Sequence, residues 1–190
     1  DIKSMGDLVS AYKGNPSGVA IGGGSVPGGM DHLVAAMVMQ AAGANPTEVK
    51  YVAYDAGGKA MAAMLSGEIK ALSTGFSEAV AMAKAGEANI IGVTSNDRVG
   101  AFPDAKTMKE QGIDTYFVNW RGFFAAPGLP KDKLAAYQKA IDKMYSTPEW
   151  EAVRARNGWE NIHNPGDDFM TFLEGQEKEI GDLMKQLGFL

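Results

Sequence analysis

The chain contains no cysteine at any of its 190 positions. This absence excludes disulfide bonds, thiolate nucleophiles and zinc sites built on cysteine. It is compatible with the bacterial periplasm and equally with the cytosol. Histidine is also scarce, since His32 and His163 are the only two, and a pair of histidines without a nearby carboxylate motif is not a metal signature. We therefore expect no bound metal.

The sequence also lacks a basic patch and a long apolar run. Its 18 basic residues are dispersed among 23 acidic ones, which gives a formal net charge of −5 at pH 7. A nucleic-acid partner is therefore not expected. The chain has no apolar run of the ~20 residues that a membrane-spanning helix needs, and no basic and apolar leader at Asp1. The composition predicts a mildly acidic α/β protein.

Glycine, in contrast, is abundant, with 24 residues. The most informative stretch runs from Gly18 to Ala42, where an apolar strand enters a glycine-rich turn that opens into an apolar helix. Glycines let the backbone approach a ligand, and the first turn of a helix offers unpaired N–H groups to an anion. The alternative is a flexible connector. The turn is not a Walker loop and matches the dinucleotide fingerprint only loosely, so we expect no cofactor.

The same order of strand, glycine turn and helix recurs along the chain. It predicts a parallel sheet with helices on both faces. We expect strands at 19–21, 49–54, 69–72 and 90–94, and helices at 7–13, 32–42, 59–65 and 79–85. Beyond residue 94 we expect one further strand at 122–126, helices at 131–145, 148–157 and 167–187, and a short strand at 159–163.

Several segments together resemble the substrate-binding receptors of tripartite tricarboxylate transporters, also called Bug-type periplasmic binding proteins. The segments are GGGSVPGGMDH at 22–32, VKYVAYDAGG at 49–58, MLSGEI at 64–69, AKAG at 83–86, GVTSNDR at 92–98, NWRG at 119–122 and APG at 126–128. Their order and spacing carry the resemblance, which extends from Ser4 to the C-terminus.

The resemblance implies a two-lobed α/β receptor with parallel-type sheets flanked by helices. Such a receptor loses its signal peptide, acts in the periplasm and delivers its ligand to a membrane permease. Family members are longer, and a Tyr-Pro-x-Gly-Gly motif in their N-terminal segment has no match here. We therefore expect a fragment in which residues 1–118 form the complete second lobe and residues 119–190 the C-terminal part of the first. Exposed apolar residues such as Phe123 and Phe124 would then favour a dimer or a swapped assembly.

The resemblance also implies how the ligand is held: mostly by backbone amides and hydroxyls, in a cleft that closes around a di- or tricarboxylate such as citrate. The residues implied are Gly24, Ser25, Gly28, Gly29, His32, Gly57, Gly58, Thr74, Gly75 and Arg121.

Some of these residues have alternative roles. Asp31 is better explained as a first-turn carboxylate favoured by the helix dipole than as a ligand contact. His32 fixes a neighbouring loop or touches the ligand, and Arg121 reaches the ligand or braces the hinge. Glu78 is expected to cap or solvate its helix.

A small α/β enzyme that acts on a carboxylated or phosphorylated metabolite is the alternative function. Ser25 lies in a strand–turn–helix, but the Gly-x-Ser-x-Gly elbow is absent because Pro27 stands at its second glycine. Ser25, Asp31 and His32 follow one another too closely along one loop and helix start to form a relay. We therefore expect a binding protein and not an enzyme.

Overall fold

The computed structural model describes residues 2–190. Over this range the chain forms three short strands and seven α-helices. The strands are β1 (Ala20–Gly23), β2 (Lys50–Ala53) and β3 (Ala71–Leu72). The helices are α1 (Met5–Gly14), α2 (Met30–Ala41), α3 (Gly57–Leu65), α4 (Phe76–Lys84), α5 (Lys131–Tyr145), α6 (Pro148–Asn157) and α7 (Asp167–Gln186).

The three strands form a parallel sheet in the order β2-β1-β3. In the central strand β1, Ile21 is paired with Tyr51 on one side and Ala71 on the other. The carboxyl ends of parallel strands lie at one edge of a sheet, and this edge is the usual ligand site of open α/β sheets. The predicted parallel α/β architecture is confirmed, and the loops that follow the three strands share one edge.

Local signals explain where several helices begin. The Ser4 hydroxyl accepts a hydrogen bond from the Asp7 N–H at 3.1 Å and caps α1. The Thr147 hydroxyl does the same for the Trp150 N–H at the start of α6, where Pro148 is the first helical residue. These caps satisfy amides that have no partner within the helix.

None of the helices in residues 2–190 is both long and apolar enough to cross a membrane.

The main core forms where α1 and α2 pack against the sheet. Tyr12 and Met39 are 1% exposed, and Ile21 of β1 is 3% exposed. A second cluster joins Leu33, Ala36 and Met37 of α2 to Leu183 near the end of α7. Because α2 contributes to both clusters, its nearly uninterrupted apolar sequence is explained by burial on more than one face.

The contacts divide the chain into two compact units. One contains the residues up to Val118 together with Glu177–Leu190, and the other contains Asn119–Gln176. The boundary between Gln176 and Glu177 falls inside α7. Residues 177–190 thus pack with the first unit, whereas the expected division places them with residues 119–176. The assignment of these units to receptor lobes stays a prediction.

Three predicted strands are absent from residues 2–190. Within 90–94 only Val93 forms a bridge, to Thr107, because its N–H and C=O pair with Lys106 and Met108 rather than with the sheet. Residues 122–126 and 159–163 are also not strands. A strand needs a hydrogen-bonded neighbour, and no strand in the described range pairs with either segment.

Candidate ligand-binding site

A buried carboxylate organises the loop that follows β1. Oδ2 of Asp31 accepts hydrogen bonds from the Gly24 N–H at 2.9 Å and from the Ser25 N–H at 3.1 Å. The Asp31 residue is only 7% exposed. Burial raises the pKa of Asp31 above its usual range, the Glu78 charge adds to this rise, and the hydrogen bonds from the loop oppose it. The glycine loop therefore already holds an anion, supplied by the chain itself.

Ser25 and Tyr51 complete this arrangement. The Asp31 N–H donates to Oγ of Ser25 at 3.0 Å, so the two residues cap each other across the loop. The Tyr51 hydroxyl donates to the Ser25 carbonyl at 2.8 Å and lies 3.2 Å from Oγ of Ser25. Since the tyrosine proton points to the carbonyl, the serine hydroxyl is the donor in the second contact. The Ser25 hydroxyl is thus engaged both as donor and as acceptor.

His32 holds the other end of the loop. Nδ1 of His32 accepts the Gly28 N–H at 3.0 Å, so the proton of the neutral ring lies on Nε2. The imidazole stacks on the Tyr51 ring, with 4.6 Å between centroids. Gly28 has a φ of +80°, which side chains other than glycine rarely adopt. This geometry supports the loop-fixing role for His32.

Two further loops meet the first one within the same unit. A Cβ added at Gly24 would lie 2.5 Å from the Gly57 nitrogen and 2.8 Å from the Ala56 carbonyl carbon. A Cβ added at Gly57 would collide with the Glu78 carboxylate. The Thr74 hydroxyl donates to this same carboxylate. The loops after β1 and β2 are therefore in direct contact, and the Glu78 carboxylate links the start of α3 to the loop after β3, as expected for the carboxyl edge of a parallel sheet.

Unengaged donors lie at the start of α3. Among residues 2–190, the Gly57 and Gly58 N–H groups have no hydrogen-bond acceptor, and no side chain caps this helix. The N-terminus of a helix carries a partial positive charge and favours an anion. The Glu78 carboxylate, on α4, lies against Gly57 at this position. The geometry is suited to a carboxylate held by backbone N–H groups.

The predicted site residues occupy three different settings. The loop around Gly24, Ser25, Gly28 and Gly29 is internally bonded: the Gly29 N–H, for example, donates to the Val26 carbonyl at 2.8 Å. Gly57 and Gly58 begin α3, and Thr74 and Gly75 precede α4. Arg121 lies in the second unit, where its guanidinium is 4.7 Å from the Trp159 ring centroid. Contact of any of these residues with a ligand stays a prediction.

Sequence reasoning missed three residues that shape this edge: Tyr51, Glu78 and Phe189. Side chains alternate between the two faces of a strand, so Tyr51 lies on the same face of β2 as Ala53. This alternation could have identified the face of Tyr51 from the sequence. The Glu78 residue is exposed in the first turn of α4, as expected, but its carboxylate also reaches Thr74 and Gly57. Phe189 packs on Gly28 from the C-terminus, and its sequence gives no sign of this contact.

Comparison with known proteins gives one family and several related folds. Residues 1–189 match the family described as the tripartite tricarboxylate transporter family receptor, TctC. A curated relative, a UPF0065 protein of Bordetella pertussis, is 26% identical over 186 residues. That match covers 97% of this chain and 56% of the relative.

Solved structures show the same fold. A TctC solute-binding protein from Polaromonas, solved without ligand, has a TM-score of 0.83 at 22% identity, over 98% of this chain and 62% of that one. Rpa4515 of R. palustris, solved with adipate, has a TM-score of 0.76 at 16% identity, with the same shares covered. The periplasmic binding protein BugD has a TM-score of 0.71 at 21% identity, over 99% and 62%. The chain thus spans less than two thirds of the length of the proteins it matches.

The Asp31 carboxylate makes a testable contribution to stability. The Asp31→Ala variant leaves the Gly24 and Ser25 N–H groups without their acceptor, and we expect it to unfold with a free energy lower by about 2–3 kcal/mol. Asp31→Asn keeps one side-chain oxygen as acceptor and removes the cost of burying a charge, so we expect less than half that loss. Urea unfolding of both variants measures the difference. An alanine variant as stable as the wild type would contradict the role given to Asp31.

His32 makes the stability depend on pH. Burial lowers the pKa of His32 from its ordinary value of 6.5, since desolvation disfavours the imidazolium. As the pH falls through 6.5, the unfolded chain takes up a proton before the folded chain does. The contribution of His32 to the free energy of unfolding is therefore fully present above pH 6.5. It decreases as the pH falls below 6.5, until the pH reaches the lowered pKa of the folded state.

The measurement is urea unfolding on both sides of pH 6.5 for the wild type and for His32→Gln, which does not titrate. We expect a shallower loss of stability toward acid in the variant. His163→Gln, which removes the other histidine, is the control and should retain the loss that belongs to His32. An identical acid dependence in His32→Gln and the wild type would show that His32 titrates alike in both states.

Proposed function

The chain belongs to the tripartite tricarboxylate transporter receptor family, and we propose that its glycine-loop edge captures a small carboxylate for delivery to a membrane permease. One observation carries the proposal. Three loops meet at one sheet edge, and there the Gly57 and Gly58 N–H groups have no hydrogen-bond acceptor in residues 2–190. A ligand carboxylate would receive these N–H groups at the positive end of α3.

The ligand that we propose is a di- or tricarboxylate such as citrate. Adipate, a small dicarboxylate, is bound by the structural neighbour Rpa4515, and this supports the chemical class. In the full receptor the ligand would bridge two lobes, and its higher affinity for the closed arrangement would drive closure. Arg121 is also proposed as a ligand contact. The family is one of receptors, and this supports a role in binding rather than in catalysis.

Location and partners are part of the same proposal. The fold neighbour BugD is a periplasmic binding protein, which supports a periplasmic location for this chain after removal of a signal peptide. The integral-membrane subunits of a tripartite transporter would be the partner. Phe123 and Phe124 of the second unit are 74% and 69% exposed, and this apolar surface is the basis for proposing a dimer or swapped assembly.

The alternative, a small α/β enzyme, is less well supported by the loop geometry. Its nucleophile would be Ser25, whose hydroxyl donates to Tyr51 and accepts from the Asp31 N–H. The His32 nitrogen that could act as a base, Nδ1, already accepts the Gly28 N–H. Nucleophilic catalysis requires a base within reach of the nucleophile, and both groups have other partners here.

Calorimetric titration of the chain with citrate and with adipate tests the proposal. Two charge-assisted N–H contacts of about 1.5–3 kcal/mol each, about 3–6 kcal/mol together, correspond to a Kd between about 0.04 and 6 mM for this chain, and a second lobe would tighten it. We expect saturable binding of a carboxylate and none of an uncharged polyol of similar size. Failure of both carboxylates to bind at several tens of millimolar would overturn the proposal for this edge.

Two glycine variants locate the binding. A Cβ at Gly14, the last residue of α1, meets no atom within 4 Å, so Gly14→Ala should leave the loops in place and bind as the wild type does. A Cβ at Gly24 would collide with the backbone of Gly57, so Gly24→Ala should separate the loops and weaken binding about tenfold or more. Equal affinity of the two variants would show that the ligand binds elsewhere.

A further inference from the structure

The C-terminus of the chain is fixed against the glycine loop by a helix-ending turn. The Gly188 N–H donates to the Lys185 carbonyl at 3.1 Å, and the Phe189 N–H donates to the Met184 carbonyl at 2.8 Å. Gly188 has a φ of +77°. This pair of bonds is the Schellman motif. It gives the backbone at Phe189 a defined direction rather than that of a free chain end.

The helix that carries this turn is itself anchored on α2. Leu183 is 5% exposed and packs in a cluster with Leu33, Ala36 and Met37. The partly buried Leu187 joins the same cluster. Because α2 also begins with the residues that bond the glycine loop, α7 and the loop share one rigid support.

The ring of Phe189 touches both partners of one hydrogen bond in the loop. A Cβ added at Gly28 would lie 3.1–3.3 Å from three atoms of this ring, so the ring packs directly on the Gly28 backbone. The same ring meets the His32 imidazole edge to face, with 5.6 Å between centroids and 90° between planes. Gly28 donates its N–H to Nδ1 of His32.

His32 is therefore enclosed by two aromatic rings of different origin. The Tyr51 ring of β2 stacks on it, with an interplanar angle of 18°, and Phe189 closes the other approach. Edge-to-face and stacked pairs fix ring orientation as well as burying area.

We propose that Phe189 is a positioning residue for ligand binding: it holds His32 in the orientation in which Nδ1 receives the Gly28 N–H, and so sets the shape of the glycine loop. The proposed effect of Phe189 on ligand affinity rests on the proposed function. Its proposed effect on the orientation of the His32 ring does not. The last turn of the chain thereby becomes part of the binding edge.

The test uses three variants of the chain and the nitrogen chemical shifts of His32, measured by NMR across a pH titration. Phe189→Ala removes the ring, Phe189→Leu restores apolar bulk without the aromatic edge, and Leu190→Ala changes the neighbouring residue, which is 71% exposed. We expect Phe189→Ala to move His32 toward the tautomer mixture and titration midpoint of a hydrated imidazole. Phe189→Leu should recover part of the shift, and Leu190→Ala should match the wild type.

Citrate and adipate titrations of the same variants give the second readout. We expect Phe189→Ala to bind about tenfold more weakly than the wild type, with Leu190→Ala unchanged. A purely structural role would lower the thermal midpoint and leave the His32 spectrum of the folded state as it was, and that result overturns the proposal. An altered His32 with unchanged affinity overturns the link to binding. If the wild type binds neither carboxylate while Phe189→Ala still moves His32, the proposed function fails and the positioning role stands.

Discussion

The arrangement of this sheet edge depends on one buried carboxylate. Asp31 accepts the N–H groups of Gly24 and Ser25 within 3.1 Å, and its own N–H donates to the Ser25 hydroxyl. A buried charge is stable only where hydrogen bonds replace its lost hydration. The loop after β1 supplies those bonds, and in return it is held in one conformation. That conformation brings the Gly24 backbone against Gly57, which is the contact that joins the first two loops.

This constraint changes how a carboxylate ligand would be bound. The N–H groups of Gly24 and Ser25, which the family resemblance implied as ligand contacts, already have an anionic acceptor. The N–H groups at the start of α3 have none within residues 2–190. The loop after β1, shaped by Asp31, Tyr51 and His32, therefore forms one side of the proposed site. The unengaged donors are the Gly57 and Gly58 N–H groups of the neighbouring loop, at the start of α3. Glu78 lies against Gly57, so a ligand anion and this carboxylate would compete for the same positive helix end.

Features whose cause lies in adjacent residues could be predicted from the sequence more readily than features that depend on tertiary contacts. The bounds of α5 and α6 coincide with those predicted, because proline, threonine and glycine mark helix ends through adjacent backbone atoms. The strand predicted at 90–94 was wrong, since Val93 pairs with Thr107 instead of with the sheet. Glycine turns between successive strands and helices predicted the parallel sheet, and in such a sheet the loops that follow the strands lie at one edge. The acceptor that Asp31 provides and the packing of Phe189 on Gly28 depend on rotamers and tertiary contacts, which no spacing in the sequence encodes.

Backbone amide shifts during a carboxylate titration test the central claim most directly. With the amides of the chain assigned by NMR, adding citrate should move the Gly57 and Gly58 resonances in a saturable way. The Gly24 and Ser25 amides should stay in place, because Asp31 remains their acceptor. The opposite pattern, in which Gly24 and Ser25 move while Gly57 and Gly58 do not, would show that the ligand replaces Asp31 and that the carboxylate is not a fixed part of the loop.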